Sequence, residues 1–402
     1  MFFSVGVVRA ILRFCFLLLF LSALVQNGRA GNNRIVGYLP YYRFHLVDQM
    51  ELHKLTHLVI AFGHPNAQGR VELPRVDIWP VARKAKSGGV KVLLSLGGGA
   101  LYPEDEKYWQ YYLQPGQRSV FIRNIVQYLH DYDLDGIDMD LEWKHIDRHY
   151  SGFVLELERA LRPYGMLLTA ALPATTRYEH LTDEALMAFD FVNLMVYDLT
   201  GPFNPGRPGQ HSPFSFAVNS IDFWRREGLS PERMTLGLPM FGWNFSVEDT
   251  VSSITYRDLV AMDNSFALLD QVGMIYYNGL SMIRAKAELA RSEVSGVMLW
   301  ELGQDAFNEL SLLRAVHEVM YPTLEPAFVA GLKPEDIITP AHPPVLGNDG
   351  HSEDIFDLKP HNGRLTFFRR RGDQTLMALP VPDYPPAFYF SASWVYELLR
   401  RR

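Results

Sequence analysis

Between Leu134 and Trp143 the chain reads Leu-Asp-Gly-Ile-Asp-Met-Asp-Leu-Glu-Trp, alternating acidic and apolar residues from Asp138 to Glu142. In a strand, successive side chains point to opposite faces. Ile137, Met139 and Leu141 then share one face, and Asp138, Asp140 and Glu142 share the other. Asp135 has the wrong parity for the acidic face and is expected to start the strand and hold backbone donors. Three carboxylates on a mostly buried strand are costly to keep. Chemistry is the usual reason to keep them.

Similar short apolar runs recur along the chain: Ile35 to Tyr42, His57 to Phe62, Val90 to Leu96, Leu134 to Glu142, Met166 to Leu172, Phe191 to Tyr197, Met234 to Met240 and Val294 to Trp300. Amphipathic stretches such as Gln117 to Tyr132, Tyr150 to Leu161 and Met282 to Arg291 lie between them. Strands alternating with helices predict an α/β fold, a closed (β/α)8 TIM barrel followed by a short C-terminal extension. A doubly wound open sheet is the alternative, but no glycine-rich dinucleotide turn supports it. In a barrel the reactive groups sit at the C-terminal ends of several strands. Glu142, Tyr197-Asp198 and Trp300-Glu301 fall at such ends. Ser95 lies near the end of the third strand and Tyr38 midway along the first.

Residues 1–30 read as a secretory signal peptide: Arg9 and Arg13, an apolar run from Phe14 to Val25, then Gly28-Arg29-Ala30 before a cut. The expected location is secreted or periplasmic, the alternative being an uncleaved N-terminal membrane anchor. The one cysteine of the chain, Cys15, lies inside that segment. The barrel is assigned to residues 31–326, closing with a helix near Leu310 to Met320, and Pro322 and Pro326 mark its end. Residues 327–402, rich in proline, are read as irregular or as a small accessory module. Arg364 to Leu376 there suggests a hairpin with Arg371-Gly372-Asp373 at its turn, and Phe388 to Leu399 a strand or short helix. The formal net charge of −7 and the absence of a basic patch in the body argue against a nucleic-acid partner. No stable membrane partner is expected after cleavage, and the expected state is a monomer.

Glu142 is the candidate general acid, because breaking an acetal needs a proton delivered to a poor leaving oxygen. Neighbouring carboxylates raise the pKa that this role requires. Asp140 shares its face, so the two titrate as a unit. Asp138 lies deeper, where it can share a proton with Asp140. An ion-pair network or a magnesium site is the competing reading of the three carboxylates, and His145 with His149 offers a weak zinc spacing.

Asp135-Gly136-Ile137-Asp138-Met139-Asp140-Leu141-Glu142 resembles the signature of glycoside hydrolase family 18, the chitinase family. Ser95-Leu96-Gly97-Gly98, Met195-Val196-Tyr197-Asp198 and Gly296-Val297-Met298-Leu299-Trp300 resemble its blocks on strands three, six and eight. The resemblance covers about Ile35 to Pro322. It implies a retaining, substrate-assisted hydrolysis of β-1,4 bonds in N-acetylglucosamine-containing glycans, with no cofactor and no metal. The resemblance makes Glu142 the acid and then the base, Asp140 the group that orients the 2-acetamido substituent, and Tyr197 a donor to its oxygen. It also implies that Asp198 binds the sugar, Trp300 lies under it, Met195 shapes the pocket floor, and Tyr38 and Ser95 adjust Asp138. The partner is then a 2-acetamido-sugar oligo- or polysaccharide. Chitin, chitooligosaccharides, N-glycan cores and cell-wall glycans all carry that group, and a glycan-binding protein without turnover is a further alternative.

The short stretch between Met240 and Val294 predicts that the wall-forming insertion of many family chitinases is absent or reduced, leaving a more open cleft suited to endo-cleavage. Trp243 is a candidate rim aromatic that stacks on sugar. Tyr102, Tyr108, Trp109, Tyr111 and Tyr112 after the third strand, and Tyr276-Tyr277 before the eighth, are further rim candidates. Asn244-Phe245-Ser246 forms a glycosylation sequon.

Overall fold

The computed structural model describes residues 33–74, 76–247 and 249–322, together with the backbone of three later strands. The leader reading and the Phe388 to Leu399 segment lie outside the described residues. Thirteen strands of the first unit are named here in chain order. They are β1 (Arg34–Pro40), β2 (His57–Pro65), β3 (Val71–Glu72), β4 (Lys91–Gly98), β5 (Gly136–Leu141), β6 (Leu167–Pro173), β7 (Phe191–Met195), β8 (Met234–Pro239), β9 (Phe241–Val247), β10 (Thr250–Thr255), β11 (Gln271–Val272), β12 (Ile275–Tyr276) and β13 (Gly296–Trp300).

Eight of them form a closed parallel barrel. The order β1-β13-β8-β7-β6-β5-β4-β2 closes through the pairing of β2 with β1, and β3 is an antiparallel addition to β2. This is the (β/α)8 architecture expected from the alternating strands and helices. The strands are near-continuous apolar runs because both faces are covered, outside by helices and inside by one another. Ile35, Leu39, Ile137, Met139 and Leu141 point outward into the main core beneath the helices. Val36, Tyr38, Val59, Ala61, Leu93, Phe191 and Met298 fill the barrel interior, with Met195, Tyr197 and Trp300 packed against them.

The outer helices follow their amphipathic patterns, at Arg118–Asp131, Tyr150–Leu161, Leu280–Glu293 and Leu312–Met320 among others. Local chemistry sets several ends. Thr182, Thr255 and Ser311 accept hydrogen bonds from the backbone N–H groups of Ala185, Asp258 and Arg314, each capping a helix start. Asp135 accepts from the backbone N–H of Val92 at 2.7 Å, tying the start of β5 to β4.

The segment between the last two barrel strands holds a small antiparallel sheet, ordered β10-β9-β12-β11. The insertion is therefore reduced but not absent. It is built from two- to seven-residue strands, short enough to fit beside the helices that the segment also carries.

The chain divides into two compact units, Met1–Pro322 and Thr323–Arg402. The second contains a three-stranded antiparallel meander of Ile355–His361, Arg364–Arg371 and Gln374–Pro380. The Arg364–Arg371 and Gln374–Pro380 strands form the hairpin that the sequence suggested.

Candidate active site

The acidic strand turns its carboxylates into the barrel. Asp138 is fully buried. One of its oxygens accepts from the Tyr38 hydroxyl at 2.7 Å and the Ser95 hydroxyl at 2.8 Å. The other accepts from the Thr169 hydroxyl at 2.6 Å and the Asn193 amide at 3.3 Å. Asn193 also donates to the Tyr38 oxygen at 3.0 Å, and its own oxygen accepts from Thr235 at 2.6 Å. Burial pushes the Asp138 carboxyl above the ordinary range, and the four donors pull it back. Every acceptor site on this group is used by protein. Its charge also acts on Asp140.

Asp140 is also buried, and its Oδ1 has no hydrogen-bond partner. Burial raises its pKa well above the ordinary value, and the charges of Glu142 and Asp138 raise it further. Glu142, just past the end of β5, is partly buried. Burial first, and the charge of Asp198 second, push it up to about 7, against a hydrogen bond with Trp143. Asp140 and Glu142 titrate as a pair that retains a proton near neutrality.

Glycine shapes the wall beside them. Gly97 has φ +112°, and a Cβ there would stand 2.9 Å from the backbone oxygen of Asp140. A Cβ on Gly99 would stand 2.8 Å from Glu142 Oε1. Only glycine lets the end of β4 come this close to the acidic strand.

Tyr197 and Asp198 follow β7. Burial keeps the Tyr197 phenol protonated, reinforced by the charges of Asp140, Asp198 and Glu142. Its hydroxyl donates weakly to the sulfur of Met298 at 3.9 Å, so a better acceptor would displace that contact. Asp198 adopts φ 59° and accepts from the Trp243 indole N–H at 2.8 Å. Trp300, at the end of β13, stacks on Phe62 at 5.7 Å and meets Tyr38 edge-on at 5.6 Å. Behind it Glu301 is buried and paired with Arg43 at 2.9 Å. Met195 is partly buried on the interior cluster.

The fold thus brings Tyr38, Ser95, Asp138, Asp140, Glu142, Met195, Tyr197, Asp198 and Trp300 to one end of the barrel. Several rim candidates go elsewhere. Trp109 and Tyr112 are buried, where both pack against Phe121. Tyr277 is buried as well and donates to the Phe266 carbonyl. Tyr102 and Tyr111 are exposed. Trp243 is occupied by Asp198 through its N–H. Among the described residues, no group of three or more His, Cys, Asp or Glu side chains is placed to hold a metal, and no helix is long and apolar enough to cross a membrane.

Sequence reasoning missed Thr169, Asn193, Thr235, Phe62 and His211. The first three carried a signal. Each is a single polar residue inside an apolar strand, and register aligns Ser95 with Asp138, Asp138 with Thr169, and Asn193 with Thr235. Phe62 and His211 carried none, because what they touch depends on distant segments.

The family model described as Glycosyl hydrolases family 18 matches residues 34–305. The chain belongs to glycosyl hydrolase family 18. Its barrel is similar to the crystal structure of the GH18 chitinase ChiB from the chitin utilization locus of Flavobacterium johnsoniae, with 40% identity and a TM-score of 0.71 over 72% of this chain and 94% of that one. A chitinase from Bacteroides thetaiotaomicron is 28% identical with a TM-score of 0.63, covering 72% of this chain and 96% of that one. Among curated proteins, "Probable chitinase 10" of Drosophila melanogaster is 27% identical over 69% of this chain, which spans only 15% of that protein. Other curated relatives are spanned over about half their length.

Proposed function

We propose that this chain cleaves β-1,4 bonds of N-acetylglucosamine-containing glycans, chitin or chitooligosaccharides, with retention of configuration and with the substrate's own acetamido oxygen as nucleophile. The orphaned Oδ1 of Asp140 carries this reading. A buried acceptor beside a proton-bearing acid is costly unless something completes it. An acetamido N–H supplies the missing donor, and its carbonyl supplies the nucleophile. A plain glucan offers neither.

Glu142, protonated, gives its proton to the glycosidic oxygen as the C1–O bond breaks. The acetamido oxygen closes on C1 to form an oxazolinium ion. The N–H of that ion bonds Asp140, whose negative charge opposes the positive charge. Tyr197 donates to the acetamido oxygen and sets its line of attack. Glu142, now ionised, takes a proton from water as the water opens the ring, and the free sugar leaves with the original anomeric configuration. Trp300 receives the apolar face of the sugar, and Asp198 holds its hydroxyls. Similarity to a chitinase of a chitin utilization locus supports chitin fragments over other 2-acetamido glycans as substrate. The signal-like leader supports action outside the cytoplasm.

The test sets chitin oligomers, an N-glycopeptide and peptidoglycan side by side, with product anomers followed by NMR. β-Anomers released from internal bonds of chitin oligomers are expected. Initial α-anomers would overturn the retaining mechanism, and cleavage confined to the other two glycans would overturn the substrate. A thiazoline analogue of the oxazolinium ion should inhibit, and full activity at saturating analogue would sink the internal nucleophile.

A further inference from the structure

Trp243 lies on β9, whose register sets it opposite Ser253 on one side and Tyr276 on the other, in the small inserted sheet. Its ring is braced edge-on by Phe241 at 5.5 Å. Gly201 leaves room for it, since a Cβ there would stand 3.1 Å from the indole nitrogen. From this fixed position the indole N–H reaches Asp198 Oδ1 at 2.8 Å.

His211, fully buried and packed on the same Phe241 ring, has Nδ1 3.5 Å from the same oxygen. Nδ1 also accepts from the backbone N–H of Asp198 at 3.4 Å. Burial pushes the imidazole below its ordinary value despite the pull of Asp198. The ring is thus neutral at neutral pH. Among the described residues, His211 is the one basic group within ion-pair distance of Asp198. No lysine or arginine approaches it so closely.

An arginine partner would fix Asp198 and cancel its charge together. An indole N–H fixes it and adds no charge. We propose that Trp243 is a positioning residue of the hydrolytic site: its neutral N–H holds the Asp198 carboxylate at the barrel mouth and, with His211 neutral alongside, leaves its negative charge uncompensated beside Glu142. This rests on the glycosidase reading and assigns Trp243 a role other than the sugar platform.

An uncompensated anion beside Glu142 favours the protonated acid. The other titratable groups that act on this point are Asp140 on β5, Tyr178 after β6, Tyr197 after β7, His211 in the following loop, and Lys286 behind His211 on the helix Leu280–Glu293. Lys286 is buried, which pushes its amine down to about 7, and its nitrogen is bonded to Ser212 and Asn278, each at 2.6 Å.

The experiment compares Trp243→Phe, Trp243→His, Trp243→Arg, Asp198→Asn and the Phe/Asn double variant. Steady-state kinetics on a chitooligosaccharide is paired with a carboxyl ¹³C NMR titration of Glu142 in the ligand-free protein, folding being verified by the same spectra. Trp243→Phe keeps the ring face and loses the donor. It should lower kcat about tenfold with KM nearly unchanged. Trp243→His retains a neutral ring N–H and should recover part of that loss. The double variant should be no slower than Asp198→Asn alone. Trp243→Arg should lower the Glu142 midpoint and move the alkaline limb of activity to lower pH, because the acid must be protonated to act.

Undiminished kcat in Trp243→Phe, additive losses in the double variant, or an unmoved midpoint in folded Trp243→Arg would each overturn the proposal. Should the arginine variant fail to fold, the Phe, His and double variants decide it. Absence of hydrolysis by the wild type would instead overturn the glycosidase reading, and the NMR titration would still report on Trp243.

Discussion

The floor and the mouth of the barrel use carboxylates in opposite ways. At the floor, Asp138 accepts four hydrogen bonds from Tyr38, Ser95, Thr169 and Asn193, and Thr235 completes the ring of partners. At the mouth, Asp140 keeps a buried oxygen without a partner, and Glu142 is pushed up to about 7 by burial and by Asp198. The floor is a satisfied polar network that rigidifies the core. The mouth keeps unmet valence, which costs stability and is available to a substrate. The two lie two to four residues apart along β5 and the residue that follows it, so the difference comes from what the neighbouring segments contribute.

The comparison breaks most visibly at Glu142. Glu142→Gln should leave binding of a chitooligosaccharide within a few-fold and lower kcat by about 10³-fold or more, as expected for loss of the general acid. Hydrolysis at the original rate would remove Glu142 from the mechanism. In the wild type, kcat/KM should fall as pH rises through about 7, where Glu142 loses its proton.

Asp138→Ala should act on the fold first. It strands four buried donors, at a cost of roughly 3 kcal/mol or more in urea-induced unfolding. A loss under ~1 kcal/mol would mean that the floor is not the satisfied network described.

The mouth should respond with the opposite sign. The folded-state pKa of Glu142 is raised, so the stability linked to its proton is full below the unfolded value and is lost as pH rises through about 7. Glu142→Gln should therefore stabilise the protein at pH 8 by on the order of 2 kcal/mol and change little at pH 4. Equal effects at both values would contradict the linkage. Last, Thr235→Val, two bonds removed from Asp138, should cost about 1 kcal/mol and leave kcat within a few-fold. A large kcat loss there would show that the floor, too, takes part in catalysis.

Much of this was legible in the chain. The parity of Ile137, Met139 and Leu141 against Asp138 and Asp140 required one dry and one acidic face, and the outward core and inward network follow it. The eight strands and the placement of Glu142, Tyr197-Asp198 and Trp300 at strand ends could be read from periodicity. The aromatic candidates could not be sorted. Tyr102 and Trp109 lie on one short segment, yet Tyr102, at the N-cap of the helix Pro103–Tyr112, is exposed, while Trp109 within that helix is buried against Phe121 and Phe153.

Local pattern was sufficient wherever the cause was local: strand parity, apolar runs and helix caps all act within a few residues. Partner identity was not. Asp138 draws donors from β1, β4, β6 and β7, and Trp243 reaches Asp198 from an inserted sheet. A carboxylate's energy depends on the donors and charges within a few ångströms. In this barrel those neighbours come from segments far apart in sequence, and closure of the sheet brings them together.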